Sequence, residues 1–177
     1  MPPTLIIDPE TLDFEHPCAN IEAIHRVIPQ RYEMEQLTAI VCLNPSEQIV
    51  VAYKDVRPDE FWVRGHMPDF PLMPGVLICE AAAQLCSYYI KTQGQETCDF
   101  VAFGGMNNVK FRGTVRPGDR LIIAARMTDY RAGRRAVFAA QGIVRGTLVF
   151  HGDIIGVPFS MSTARTQRLA KQSAGGP

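Results

Sequence analysis

Within residues 64–85, RGHMPDFPLMPGVLICEAAAQL, one histidine precedes a proline-punctuated loop, and one carboxylate interrupts an otherwise apolar helical run. His66 and Glu80 are a pair whose types could do chemistry together. An imidazole has an unperturbed pKa of about 6.5 and can act as a base near neutral pH. A carboxylate in apolar surroundings is costly unless it is paired, hydrogen-bonded or neutral. Two readings of Glu80 follow. Either it belongs to a polar stripe facing water or a partner chain, or the stripe lines a cavity in which burial keeps Glu80 protonated as a general acid. His66 has a plain reading as well, a histidine satisfied inside its own loop. Its setting favours chemistry, because Gly65, Pro68, Pro71, Pro74 and Gly75 leave the backbone few conformations and hold the side chain at low entropic cost. Helix entry at Pro74 and Gly75 also leaves backbone N–H groups available to polarise a carbonyl oxygen.

These groups need elements to position them. Residues 76–90 contain strong helix formers and no Gly or Pro, with Pro74 where a first turn tolerates it, so they predict a helix. Val76, Leu77, Ile78, Leu85 and Tyr89 surround its axis, which predicts burial, whereas Glu80, Gln84 and Ser87 fall on one face. Gln84, one turn beyond Glu80, could orient that carboxylate or satisfy a neighbouring backbone group. Strand signals fill most of the rest: 37–43 and 48–54 around an Asn-Pro-Ser-Glu turn, then 100–103, 109–115, 120–130, 134–145 and 147–158. One buried helix with five or six antiparallel strands predicts an α+β fold, a curved sheet wrapped around a long central helix.

Composition bounds the possibilities. The 177 residues are 46% hydrophobic and 20% charged with zero formal net charge, which points away from disorder and from a polyanion-binding surface. Residues 110–135 are locally basic, and the first 22 residues lean acidic. Five cysteines, odd in number and without metal-ligand spacing, predict reduced and mostly packed thiols in a cytoplasmic protein with no metal site. The start lacks the features of a secretory signal, and no run approaches the roughly 20 apolar residues that span a bilayer. The expected organisation is an N-terminal arm over 1–22, one domain over 23–160 and a flexible basic tail over 161–177.

The stretch from Gly65 to Gln84 resembles the G-H-F-P-x-x-P-x-M-P-G-V-L-x-x-E-A-x-A-Q signature of the FabZ-type (3R)-hydroxyacyl-[acyl carrier protein] dehydratases. Pro29, Arg31 and Tyr32 are similar to that family's P-H-R-Y element. Lys110-Phe111-Arg112 with Val115-Arg116-Pro117-Gly118-Asp119 is similar to its K-x-x-F-R…V-x-P-G-D stretch. The resemblance implies a hot-dog fold that forms a homodimer or a trimer of dimers. It implies a tunnel at the dimer interface where His66 of one subunit meets Glu80 of the partner subunit. His66 would be the base and Glu80 the acid, with no cofactor. The Gly75 N–H would bind the thioester carbonyl, with Pro74, Val76, Met67 and Gln84 beside the substrate. Lys110, Arg112 and Arg116 would hold the acyl carrier protein or the phosphate of its phosphopantetheine arm.

The implied reaction is dehydration of a (3R)-hydroxyacyl thioester to the trans-2-enoyl thioester in fatty acid biosynthesis. The chain departs from the family at Gln30, usually His, through residues 33–39, at Met67, usually Phe, and at Asp69-Phe70, where Gly-Arg is common. Those positions bear on tunnel lining, chain-length preference and carrier contacts. A non-catalytic acyl-carrier-binding module, a thioesterase and an isomerising dehydratase are the alternatives, and isomerising relatives usually carry Asp where Glu80 stands.

Overall fold

Runs of β-branched and apolar residues build a sheet here because both of its faces find cover. The computed structural model describes residues 3–94 and 98–161. Its strands are β1 (Ala39–Asn44), β2 (Ile49–Asp55), β3 (Phe100–Phe111), β4 (Arg120–Arg131), β5 (Arg135–Val144) and β6 (Thr147–Phe159). They form one sheet in the order β1-β2-β4-β5-β6-β3, every neighbouring pair antiparallel. The short helix α1 (Ile21–His25) precedes the sheet, and the long helix α2 (Gly75–Thr92) lies between β2 and β3 in the chain and packs across β2 to β6. The predicted α+β architecture is the observed one.

Turn chemistry sets the hairpins. The Asn44 side-chain oxygen accepts from Ser46 Oγ at 2.7 Å and from the Glu47 N–H at 3.2 Å, closing the β1–β2 turn. Between β4 and β5 the Arg134 N–H donates to the Arg131 carbonyl at 2.9 Å.

Residues 100–103 and 109–115, expected as two strands, belong instead to a single twelve-residue β3 that ends at Phe111. Between the two expected strands lie Gly-Gly and Asn-Asn pairs, and they fall at irregularities in the pairing with β6, one between Phe103 and Gly105 and one between Asn107 and Lys110. Gly105 at φ 154° and Asn108 at φ 55° supply the backbone these need.

On the concave face, Ile78, Ala81, Ala82, Leu85 and Cys86 of α2 are at most 2% exposed and pack with Val50, Ile123, Phe138 and Phe150 of the sheet. Tyr89 meets Phe138 edge to face at 5.7 Å between ring centres. Val76 departs from the expected burial: it is 68% exposed, because the first turn of α2 projects past the core.

The convex face is covered by the N-terminal arm. Leu5, Ile6, Ile7, Leu12 and Phe14 pack on Val41, Val51, Tyr53, Ile122 and Ile143. Buried Gln141 fixes the arm by donating to the Thr4 carbonyl at 2.9 Å and accepting from the Ile6 N–H at 2.8 Å. The Arg120 guanidinium, paired with Asp55, lies 5.1 Å from the Phe14 ring centre and 4.2 Å from that of Tyr53. Ala19 then bridges to Ile40 of β1. Apart from Met161, the expected tail lies outside the described residues. Among the described residues, no helix is long and apolar enough to cross a membrane.

Candidate active site

The loop that carries His66 is braced before it begins. Lys54 shares the concave face of β2 with Val50 and Ala52, so its ammonium needs a partner. Glu60 supplies one at 2.8 Å, the two side chains being 6% and 8% exposed. Buried Trp62 follows, and its carbonyl accepts from the N–H groups of Gly65 at 3.1 Å and His66 at 2.8 Å. At the far end, the Met73 N–H donates to the Val115 carbonyl at 2.8 Å, tying the loop to the segment before β4.

Between these anchors the loop closes on itself. The Leu72 N–H donates to the His66 carbonyl at 3.0 Å, and His66 Nδ1 lies 2.9 Å from the Leu72 carbonyl oxygen. A carbonyl can only accept, so Nδ1 carries the hydrogen and Nε2 keeps its lone pair. The contact fixes the orientation of the His66 ring, with Nδ1 turned to the Leu72 carbonyl.

Helix α2 starts at Gly75 after Pro74, with no side-chain cap. The Pro74 carbonyl takes the N–H groups of Leu77 and Ile78, and those of Gly75 and Val76 have no described acceptor. They are the uncommitted donors that an oxyanion needs. Glycine lets the helix start sit close under Phe111: a Cβ there would lie 2.7 Å from Cζ of that ring, and the ring or the helix start would have to shift. Met67 is exposed at the tip of the loop. The Arg116 guanidinium stacks 3.8 Å from the Phe70 ring centre, which sets Arg116 beside the loop.

Lys110 and Arg112 stand elsewhere. Lys110 pairs across from His151, as does Gln141, whose side chain holds the arm on the convex face. Phe111, between them, turns inward toward Phe150. Of the three basic residues expected near the substrate, only Arg116 is on the loop side. Burial, with the charges of Arg112 and Lys110, pulls the His151 pKa below its ordinary value.

Glu80 belongs to a second cluster. The Gln84 side-chain amide donates to Glu80 Oε1 at 2.8 Å and to the Met34 carbonyl at 2.7 Å, and its own oxygen accepts from the Gln36 N–H at 3.0 Å. Gln84 therefore both orients the carboxyl, through Oε1, and satisfies backbone groups. Half-buried Glu80 opens onto a cleft of about 60 Å³ that it shares with Gln30, Ala83, Ser87, Val101 and Phe103, and His66 is not among its walls. The polar face of α2 thus lines a cavity at Glu80 and Ser87 and is closed off by the 34–36 segment at Gln84.

Sequence reasoning missed two features. The Lys54–Glu60 brace was signalled by a lysine in the inward register of β2. The segment facing Gln84 is held by Arg31, whose guanidinium donates to the carbonyls of His25 at 2.6 Å, Ile28 at 2.8 Å and Gln30 at 2.6 Å. Nothing in the spacing of Arg31 signalled that role.

One chain thus holds a histidine in the loop before uncommitted helix-start amides and, apart from it, a carboxyl at a cleft. A family model described as the FabA-like domain matches residues 28–153. The 3-hydroxyacyl-[acyl-carrier-protein] dehydratase FabZ of Streptococcus gordonii is 38% identical over 135 residues, 76% of this chain and 94% of that protein. FabZ of Streptococcus pneumoniae (strain Hungary19A-6) is 36% identical with the same coverage. Among solved structures, the dehydratase heterocomplex ApeI:P from Xenorhabdus doucetiae matches with a TM-score of 0.65 at 16% identity, covering 81% of this chain and 95% of that one. Cj0977, a sigma28-regulated virulence protein from Campylobacter jejuni, matches at 0.60 and 19%, covering 81% and 94%. Identities this low speak for the fold alone, and the fold they share is the hot-dog arrangement of one long helix and a curved antiparallel sheet. A match running through both the sheet and the helix, with FabZ relatives covered almost end to end, makes this chain a member of the FabA-like domain family to which it is joined by the FabZ dehydratases.

Proposed function

We propose that the protein dehydrates (3R)-hydroxyacyl thioesters on an acyl carrier protein to trans-2-enoyl thioesters, with His66 of one subunit facing Glu80 of the partner subunit. The observation that carries the reading is the orientation of His66, whose Nδ1 is spent on the Leu72 carbonyl while Nε2 stays available in the loop that leads to the uncommitted Gly75 N–H. His66 Nε2 takes the proton from the carbon next to the thioester carbonyl as charge gathers on the carbonyl oxygen, and the Gly75 N–H stabilises that charge. The Glu80 carboxyl gives its proton to the 3-hydroxyl. The carbon–oxygen bond then breaks, the double bond forms and water leaves, and solvent returns the proton from His66 to Glu80. Arg116, beside the loop, is placed to meet the acidic carrier or its phosphate.

The dimer is supported by β3, which has no strand beyond it among the described residues and whose Phe103, Met106 and Phe111 are 46%, 44% and 50% exposed. A long apolar edge invites pairing with another chain. Exposed Met67, Phe70 and Val76 extend the apolar surface around the helix start.

The test is complementation between His66→Ala and Glu80→Gln proteins, assayed with a 3-hydroxybutyryl thioester on carrier protein. Each alone is expected to be inactive. Statistical exchange of subunits gives about half heterodimers with one intact site each, and so about a quarter of wild-type activity. A mixture as inactive as its parents refutes the shared site, and turnover by folded His66→Ala protein refutes the base. Release of free thiol from acyl substrates would instead mark a thioesterase.

A further inference from the structure

The N-terminal arm and β1 bring two cysteines to one rung of the sheet. Ala19 and Ile40 lie directly opposite and exchange backbone hydrogen bonds at 3.2 and 2.8 Å, and Ile40 pairs on its other side with Ala52 of β2. All three side chains join the concave core. The next rung of β2 is Val51. Because β1 is irregular between Ile40 and Cys42, the residue opposite Val51 is Cys42, and both pack with the convex cluster. Continued back from Ala19, the antiparallel pairing reaches that same rung at Cys18, and alternation turns its side chain to the convex face. Opposed residues have Cα atoms about 4.5–5.5 Å apart, within the roughly 4.4–6.8 Å that a disulfide spans. A second observation agrees with the register: burial, with the charges of Cys18 and Glu47, pushes the Cys42 thiol above its ordinary pKa, so the two thiols feel each other. Of the five cysteines only Cys18 is exposed. Cys79 and Cys86 are buried on α2 and lie about 10 Å apart along its axis, beyond disulfide reach.

We propose that Cys18 and Cys42 form a reversible redox site, in which a small disulfide of the glutathione type oxidises the pair to a bond that staples the N-terminal arm to β1. The proposal is independent of the dehydratase reading. Exposed Cys18 is the thiol an oxidant can reach. Its thiolate attacks one sulfur of oxidised glutathione and expels one glutathione thiolate, leaving a mixed disulfide on Cys18. The charge on Cys18 is then gone, and one cause of the raised Cys42 pKa goes with it. The Cys42 thiolate attacks the Cys18 sulfur and expels the second glutathione. The two protein thiols lose two electrons and two protons; glutathione disulfide takes up both electrons, and the protons pass to the thiols released. The new bond closes a loop of about 25 residues, which restricts the unfolded chain and holds the arm on the sheet. Reduction by excess thiol reverses each step.

The experiment incubates the full chain with oxidised glutathione at about pH 8, near the ordinary thiol pKa, alkylates the remaining thiols and reads tryptic peptides by mass spectrometry. The expected product joins the peptide that ends at Arg26, which holds Cys18, to the one that ends at Lys54, which holds Cys42. The linked protein is expected to run as a single chain on a non-reducing gel. Its Tm is expected to rise by roughly 5–10 °C and to return to the starting value with dithiothreitol. Cys18→Ser, at an exposed position, is expected to melt with the reduced wild type and to show neither the link nor the rise in oxidant. Cys42→Ser should lose both as well and leave a glutathione adduct on Cys18. The proposal is overturned if both cysteines stay unreacted, or if wild-type Cys18 keeps a glutathione adduct while Cys42 remains open to alkylation. A link to another cysteine or to another chain overturns it, and so does a Cys18–Cys42 link with an unchanged Tm.

Discussion

Gly75→Ala separates the chemistry of the helix start from its shape. The substitution keeps the amide N–H, so any change in turnover reports displacement and not a lost donor. The added Cβ would fall 2.7, 2.8 and 3.0 Å from Cζ, Cε1 and Cε2 of Phe111, where carbon atoms prefer about 3.5–4.0 Å. Either the ring or the first turn of α2 must move by roughly 1 Å. Behind the ring stands Phe150, fully buried with its centre 5.7 Å away, so inward movement is blocked, and Phe111 can yield only toward its exposed side. Overpacking of this kind costs about 1–3 kcal/mol, or about 3–10 °C in Tm for a domain of this size. If the helix start yields in part, misplacing the amide by an ångström lowers turnover by up to about 100-fold. The chain's single tryptophan, Trp62, is buried in the same loop and gives a fluorescence signal for urea unfolding. In the double variant with Phe111→Ala the clash disappears, so the two stability losses are expected to be less than additive by more than about 0.5 kcal/mol. Wild-type stability and turnover in Gly75→Ala, or strictly additive losses, would refute the claim that Phe111 dictates glycine here.

Two further expectations concern charges. Glu60→Ala strands the Lys54 ammonium with no other described carboxylate partner and is expected to cost about 3–5 kcal/mol in urea unfolding. Adding Lys54→Met should restore most of it, and a Glu60→Ala loss below about 1 kcal/mol would show that the pair is not a brace. His151 has a folded pKa below its unfolded value, so between the two the unfolded chain binds more protons and stability is lost as pH falls through about 6.5. Thermal melts from pH 8 to 5 are expected to fall less steeply in His151→Asn than in wild type, and identical slopes would count against that protonation. Lys110 and Arg112 oppose the proton and Asp153 favours it, so Lys110→Met should lessen the effect.

The parts of the molecule that could be read from sequence are those governed by local rules. The helix over 76–90, the Asn44 turn and the loop between Gly65 and Gly75 announce themselves through propensity and punctuation. What escaped depends on counting residues across strands. Alternation carried down β3 from inward-facing Met106 would turn Lys110 toward α2. The extra residue between Asn107 and Lys110 shifts the pleat, and Lys110 turns to the other face with His151. The same kind of irregularity made one long strand look like two. Val76 reads as core because it is apolar in an apolar helix, yet its place in the first turn of α2 leaves it 68% exposed. Gln30 stood out only as a departure from a motif.

The arm has a consequence for assembly that concerns where a sheet stops. An antiparallel sheet has two margins, and a molecule with both margins bare can add neighbours without end. Here Ala19 exchanges backbone hydrogen bonds with Ile40, at 3.2 and 2.8 Å, and covers the β1 margin at that one point with the protein's own chain. Among the described residues no strand lies beyond β3. The two margins are therefore unequal: a copy adding a strand at β1 would have to displace the Ala19 bridge, and one adding at β3 would not.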